Sequence, residues 1–173
     1  MKTHSGFTLT ELMITLLIAA ILLSLAAPSF SEFLRNNRLT TVTNEFVAAA
    51  NLARSEAIKR GRNATVCVSS DSMSASPTCT GGNDWALGWL VWIDIDGDGT
   101  LDNGEELRVY DALDGTRMTF ISNGPGTFRY DATGAVDTQL NIQACDDRSG
   151  ETGRRIWVTA TGRLETERAF AGC

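Results

Sequence analysis

Gly6-Phe7-Thr8-Leu9-Thr10-Glu11 leads into an apolar run, Leu12 to Ser31, that carries no charged residue before Glu32. A run of that length crosses a bilayer as a helix. An export signal is cut after its apolar segment, behind small residues, whereas here the small residue Gly6 and the short basic leader (Lys2, His4) stand in front of it. A cut between Gly6 and Phe7 therefore leaves the apolar helix on the mature chain. Glu11 is the odd residue, because an acidic side chain costs about 2.5–3.5 kcal/mol at the bilayer centre and less near an end. It calls for a partner. The cut would create an α-amine four residues upstream, and in a staggered stack of such helices one subunit's amine can meet its neighbour's Glu11. Such a buried pair is better supported as a device for register than as a source of stability.

Gly-Phe-Thr-Leu-x-Glu followed by an apolar run resembles the class III leader of type IV prepilins and of type II secretion pseudopilins. The resemblance implies that a prepilin peptidase cuts after Gly6 and methylates the new terminal residue, Phe7. It also implies an α+β pilin fold, in which a long kinked N-terminal helix packs on a small antiparallel β-rich head. Ala53-Arg-Ser-Glu-Ala-Ile-Lys-Arg-Gly61 further resembles the end of this helix in the GspH/FimT/FimU branch of minor pilins and pseudopilins. The function so implied is that of a minor type IV pilin, a non-enzymatic subunit that helps initiate assembly and sits at or near the filament tip. Two alternatives are a GspH-like pseudopilin of a type II secretion system and a FimT-like DNA-binding minor pilin in DNA uptake. Its partners would be other major and minor pilins or pseudopilins, prepilin peptidase and the inner-membrane assembly platform. Before assembly it would be a single-pass inner-membrane protein with its head in the periplasm, and afterwards part of a pilus or pseudopilus.

Of the 173 residues, about 110 remain for the head, enough for one core. The organisation expected is a leader over 1–6, a transmembrane and assembly helix over 7–31, its amphipathic continuation over 32–61 and the head over 62–173. Pro28 removes an intrahelical hydrogen bond and predicts a kink. Beyond it Phe30, Phe33, Leu34, Leu39, Val42, Phe46, Ala49, Ala53 and Ala57 recur at steps of mostly three and four, one buried stripe. Gly61 after Lys59-Arg60 marks the helix end.

Short β-rich runs follow: Ala64–Ser69, Gly88–Ile95, Glu106–Asp111, Met118–Ser122, Thr127–Tyr130, Leu140–Cys145, Arg154–Thr159 and Gly162–Leu164. Gly134 and Gly162 sit where hairpin tips need a positive φ. Trp85, Trp89, Trp92 and Trp157 are expected in the core. Trp89–Trp92 is apolar on both faces, so that strand is expected to be covered on both sides. Four cysteines behind an export signal predict disulfides. Of three connectivities, Cys67–Cys79 and Cys145–Cys173 is preferred, because the first closes a Ser/Gly/Asn-rich loop and the second ties down the C-terminus.

Asp94-Ile-Asp96-Gly-Asp98-Gly-Thr100-Leu-Asp102-Asn-Gly-Glu105 fits the calcium-loop pattern D-x-[DN]-x-[DN]-G-x₅-E. Asp94, Asp96, Asp98, the Thr100 carbonyl, Asp102 and Glu105 would supply the oxygens that a hard cation takes. Strands rather than helices flank the loop, so it would be an isolated one, and no cofactor is required for the function above. The formal charge of −6 disfavours unspecific attraction to nucleic acid. Arg154, Arg155, Arg163 and Arg168 would be the DNA-contacting residues. Glu165 and Glu167 interrupt them, and DNA binding is not favoured. The sole histidine, His4, leaves with the leader, which removes the commonest general base. No phosphate loop and no Cys-x-x-Cys is present, and an enzyme is not expected.

Overall fold

The structure is a computed structural model that describes residues 6–113, 117–150 and 153–173, apart from the side chains of 25–28 and 169. One helix, α1 (Leu9–Arg60), precedes eight strands: β1 (Ala64–Val68), β2 (Trp89–Ile93), β3 (Glu106–Tyr110), β4 (Thr119–Ser122), β5 (Thr127–Tyr130), β6 (Leu140–Cys145), β7 (Gly153–Val158) and β8 (Leu164–Phe170). A 3-10 turn, Trp85–Leu87, stands before β2. The chain forms two compact units, one ending at Arg38 and the other spanning Leu39–Cys173.

In the first unit α1 is apolar and exposed, with Leu17 62%, Ile18 50% and Leu22 61% accessible. It is long and apolar enough to cross a membrane. Phe30, Phe33 and Leu34, expected on the buried stripe, are exposed as well. The stripe begins at Leu39, where the second unit begins. Position 28 lies within α1, and the kink assigned to Pro28 falls on a side chain outside the described residues.

In the second unit Leu39, Val42, Phe46, Ala49, Ala50, Ala53 and Ala57 are buried, recurring at helical spacing so that one face meets the head. Small residues in the last turns let the helix backbone approach closely. Gly61 (φ +62°) ends α1, and the Arg62 N–H donates to the Ala57 carbonyl at 3.2 Å. This six-to-one bond satisfies a carbonyl that the helix end leaves without a partner.

The strands form two antiparallel sheets, ordered β3-β2-β1-β5 and β4-β6-β7-β8. Phe46 meets both. Its ring stands edge-on to Trp85 at 5.1 Å and to Phe120 of β4 at 5.4 Å, with Trp89 of β2 at 6.0 Å and Phe128 of β5 at 6.1 Å. All five residues of β2 are buried. Trp89, Val91 and Ile93 join the helix-facing core, and Leu90 and Trp92 form a second cluster with Cys67. Leu101 of the acidic loop packs on this second cluster, so α1 covers one face of β2 and the acidic loop the other.

Two expectations need correction. The last strand is not a stub ending at Leu164 but runs on to Phe170 through Glu165, Glu167 and Arg168. It is the sheet edge, where outward charges are tolerated and discourage further pairing, so a charged sequence there still pairs with β7. Trp157 is half-buried on the outer face of β7 rather than in the core. Strand alternation sends Ile156 and Val158 inward and Trp157 outward, where Arg155 lies over its ring at 5.1 Å.

The hairpin tips lock together against α1. Arg54 donates from Nε to the Gly134 carbonyl at 3.1 Å and from Nη2 to the Thr161 carbonyl at 3.0 Å. A Cβ at Gly162 would run into the Gly134 carbonyl oxygen. Only glycine fits there. Burial pushes the adjacent Tyr130 phenol up to about 12, and it remains a neutral donor to the Gly162 carbonyl at 3.4 Å.

Candidate functional site

The start of α1 carries a feature that periodicity did not reveal. Thr8 donates to the Glu11 carboxylate twice, from its backbone N–H and from its hydroxyl, both at 2.9 Å to Oε2. The Glu11 N–H donates back to Thr8 Oγ1 at 3.3 Å. This is a reciprocal capping box, which satisfies donors that a helix start otherwise leaves unpaired. Ser/Thr-x-x-Glu at the head of an apolar run was the available signal. The partner that Glu11 required of a neighbour is thus supplied, within the single chain, by Thr8. Gly6 and Phe7 precede α1, with Phe7 85% exposed. A Cβ on Gly6 would touch nothing within 4 Å. No packing among the described residues demands a glycine there.

The acidic loop joins β2 to β3. Its carboxylates mostly organise their own backbone: Asp94 Oδ1 accepts from the Gly97 N–H at 2.7 Å, Asp96 Oδ1 from Asp98 at 3.1 Å and Asp98 Oδ1 from Thr100 at 2.7 Å. Gly97 and Gly99 take φ of +90° and +79°, which L side chains avoid. Oxygens of Asp94, Asp96 and Asp98 come within 4.8 Å of one another. The Asp102 carboxyl is raised above its usual range, first by the charge of Asp98, then by desolvation and by Asp96 and Glu105. Four of the expected ligands thus share one field of negative charge. Glu105 is differently engaged, since Oε1 accepts from the Ile95 N–H at 2.6 Å and Oε2 from Asp102 at 3.1 Å. It clasps the two ends of the loop. The three aspartates fit a hard oxygen-seeking cation; Asp102 lies outside their cluster and Glu105 would first have to release its amides.

Cys67 joins Cys79, and Cys145 joins Cys173, each with a Cα–Cα separation of 5.6 Å. The second bond fastens the chain end beyond β8 to β6.

The four arginines do not form one strip. Arg154 and Arg168 are cross-strand partners, and with Thr40, Thr43, Asn44 and Thr166 they line a cleft of about 50 Å³. Burial, followed by the charges of Arg168 and Arg148, lowers the pKa of Arg154. Arg155 lies on the opposite face, 3.7 Å from Glu167 and 3.6 Å over the Phe170 ring. Arg163, in the β7–β8 turn, reaches Glu165 at 3.9 Å. Strand alternation divides neighbouring arginines between faces, and each outward one has a carboxylate beside it.

An apolar helix headed by a capped carboxylate, continuing into a disulfide-bonded antiparallel β head, defines a pilin-type subunit. A family profile described as "Type II transport protein GspH" matches residues 42–162, and one described as "Prokaryotic N-terminal methylation motif" matches residues 1–27. Two fimbrial proteins of Pseudomonas aeruginosa are each 31% identical over 116 residues, covering 67% of this chain and 66% of theirs. The chain therefore spans just under two thirds of the length of these relatives. Two crystal structures of the type IV minor pilin FimU of Pseudomonas aeruginosa share the fold. One gives a TM-score of 0.59 at 21% identity, over 79% of this chain and 93% of that one. The other gives 0.56 at 20% identity, over 76% and 94%. The chain belongs to the family of type IV minor pilins and pseudopilins, in its GspH/FimT/FimU group. That family is structural, not enzymatic.

Proposed function

We propose that this chain is a minor pilin of a type IV pilus that helps initiate assembly and sits at or near the filament tip. The observation that carries the assembly role is the start of α1: an exposed Gly6–Phe7 bond, then the Thr8–Glu11 box, then apolar surface that the chain itself does not cover. Among the described residues nothing packs on the glycine, and a peptidase pocket that excludes side chains would give it a role. Prepilin peptidase would cut there and methylate Phe7, and the inner-membrane assembly platform would draw the helix into the filament. Cutting creates an amine next to Thr8, and a neighbouring subunit's amine would then compete with Thr8 for the Glu11 carboxylate. Uncovered apolar surface leaves lipid for other pilins, exchanging one apolar surrounding for another, so charge pairing sets register. The fimbrial relatives favour a pilus over a type II secretion pseudopilus, which is the second reading and rests on the GspH profile. DNA binding is disfavoured by the acids beside Arg155 and Arg163.

The mass of the mature N-terminal peptide tests this reading. A peptide starting at Phe7 with one added methyl group is expected, and a bulky residue at Gly6 is expected to leave the precursor uncut. A mature N-terminus at Ala27, behind the apolar run, would overturn it.

We also propose that the acidic loop takes Ca²⁺, with Asp94, Asp96, Asp98, Asp102 and the Thr100 carbonyl as ligands and Glu105 as the clasp that shapes the loop. An isolated loop without paired helices should bind on the order of 10⁻⁴–10⁻³ M. Calcium at about 10 mM would then stabilise the protein by about 1.4–2.7 kcal/mol. The check is a thermal melt in EDTA against calcium, with magnesium and ionic-strength controls. Asp96→Asn with Asp98→Asn keeps Oδ1 as an acceptor for the loop amides while removing two charges, and is expected to abolish the shift. Equal melts with and without calcium would refute the site.

A further inference from the structure

The outer face of the second sheet, away from α1, holds a hollow of about 220 Å³ lined by Asn123, Gln139, Leu140, Asn141, Trp157, Val158 and Thr159. The alternation that turns Leu140 and Val158 inward leaves three carboxamides, one hydroxyl and one indole to face the hollow. None of the lining residues is charged. Two charged groups adjoin Trp157, and each has a partner: Glu165, across from it on β8, is paired with Arg163, and Arg155, 5.1 Å from its ring, with Glu167. We propose that this hollow is a binding site for a neutral glycan, taking one hexose or hexosamine ring against the face of Trp157.

Three observations select that chemistry. The side chain of Asn141, whose residue pairs with Trp157 across the strands, has a buried Oδ1 without a hydrogen-bond partner. Native structures rarely leave such an atom unpaired; it is shut off from solvent as the side chain stands, so a ligand hydroxyl would donate to it once the carboxamide turned toward the hollow. Asn123 is already oriented, because its Oδ1 accepts from the Asn141 N–H at 2.9 Å and its own N–H donates to the Asn141 carbonyl at 3.0 Å. Donors and acceptors at the rim of an aromatic face match a ring that has C–H groups on its face and hydroxyls around its edge.

The third observation concerns rigidity. Arg155, two residues before Trp157 on the same face and absent from the lining, lies 5.1 Å from the Trp157 ring and 3.6 Å from that of Phe170. Phe170 lies three residues before Cys173, which is bonded to Cys145 of β6. The stack Trp157–Arg155–Phe170 braces the indole, and neither Arg155 nor Phe170 lines the hollow. A platform fixed beforehand spares binding the cost of ordering it. The hollow is below the roughly 300 Å³ at which drug-sized pockets begin, so it suits one ring of a longer chain rather than a whole compact ligand. A peptide would need a longer apolar groove than one indole supplies.

The site is independent of the filament role proposed above. Its test uses the full chain in a zwitterionic detergent, since sugar-headed detergents would compete. The probes are chitotetraose, cellotetraose and maltotetraose, with sialyllactose and a pool of tryptic peptides as counter-ligands, read by titration calorimetry. At least one neutral tetrasaccharide is expected to bind with a dissociation constant of about 1 mM or tighter. Trp157→Ala is expected to weaken it by about tenfold or more, and Trp157→Phe to keep most of it. Gln139→Ala, at an exposed position, should weaken binding about threefold with an unchanged melt, which decides the matter if Trp157→Ala unfolds the head. Failure of all three tetrasaccharides at about 10 mM, unchanged affinity in Gln139→Ala or in a folded Trp157→Ala, or preference for the acidic sugar or the peptides would overturn the assignment.

Discussion

Glu11→Val is expected to leave the chain inserted in the membrane, cut at Gly6 and melting as the parent does, while its incorporation into filaments is lost. Removing one partner of a buried charge pair costs about 3–5 kcal/mol, which corresponds to at least a hundredfold, roughly, in an assembly equilibrium. The head should not register the change, because Glu11 lies in the first unit and the core begins at Leu39. The capping box complicates the reading, since Glu11 also serves its own helix start through Thr8. Two further variants separate the roles. Glu11→Gln keeps an oxygen that accepts from Thr8 but carries no charge, and Thr8→Val removes the hydroxyl while leaving the charge. If charge pairing between subunits is what counts, the glutamine variant should fail as valine does, and Thr8→Val should still be incorporated. The measurement is the variant's share in sheared filaments relative to its membrane pool. Incorporation of Glu11→Gln at the parental level would reduce Glu11 to a helix cap.

The difference between those two readings shows what the sequence could express. Leader, apolar run and helical stripe are patterns within one segment, and each is legible because its physics is local: a length, a period of 3.6, a stop at Gly61. Most strand positions were legible for the same reason, as was an acidic loop between two strands. What the sequence did not show depends on pairing between segments. Arg154 and Arg155 are neighbours in the chain, yet the register that sets Arg154 against Arg168 and Arg155 against Glu167 sends them to opposite faces. The irregularity between Gly153 and Arg154 lies in that same pairing, and composition could not reveal it. Trp157 reads as core by type, and only its alternation with the buried Ile156 and Val158 places it outside. β8 is charged beyond Leu164, and what carries it on to Phe170 is its pairing with β7 rather than any pattern of its own. The capping box is legible and local in Thr8-x-x-Glu11, and it engages the same carboxylate that a partner outside the chain would take.

The largest effect on the fold is expected at Phe46, where sequence showed one stripe residue among nine and the structure shows the contact between helix and both sheets. Phe→Ala in a core typically costs about 3–5 kcal/mol, and the cost rises with the volume that cannot collapse. Collapse is poor here. The next buried positions toward the end of α1, Ala49, Ala50, Ala53 and Ala57, have no side chain long enough to swing into the gap. On the sheet side Trp85, Trp89, Phe120 and Phe128 are fully or nearly fully buried. Loss of the two edge-on contacts at 5.1 and 5.4 Å adds about 0.5–1.5 kcal/mol each beyond area, which places Phe46→Ala at the upper end of the range. A domain of ordinary stability, about 5–15 kcal/mol, would lose a third or more of it, and the melting temperature should fall by on the order of 10–20 °C. Phe33→Ala, at an exposed position of the same helix, should change stability by no more than about 0.5 kcal/mol. Circular dichroism melts of the disulfide-intact protein compare the two directly. Trp85 and Trp89 provide a second readout, since a cavity beside them that admits water would shift their emission to the red. A Phe46→Ala melt within about 2 °C of the parent, corresponding to well under 1 kcal/mol, would mean that α1 is held on the head by the alanine face and not by this ring.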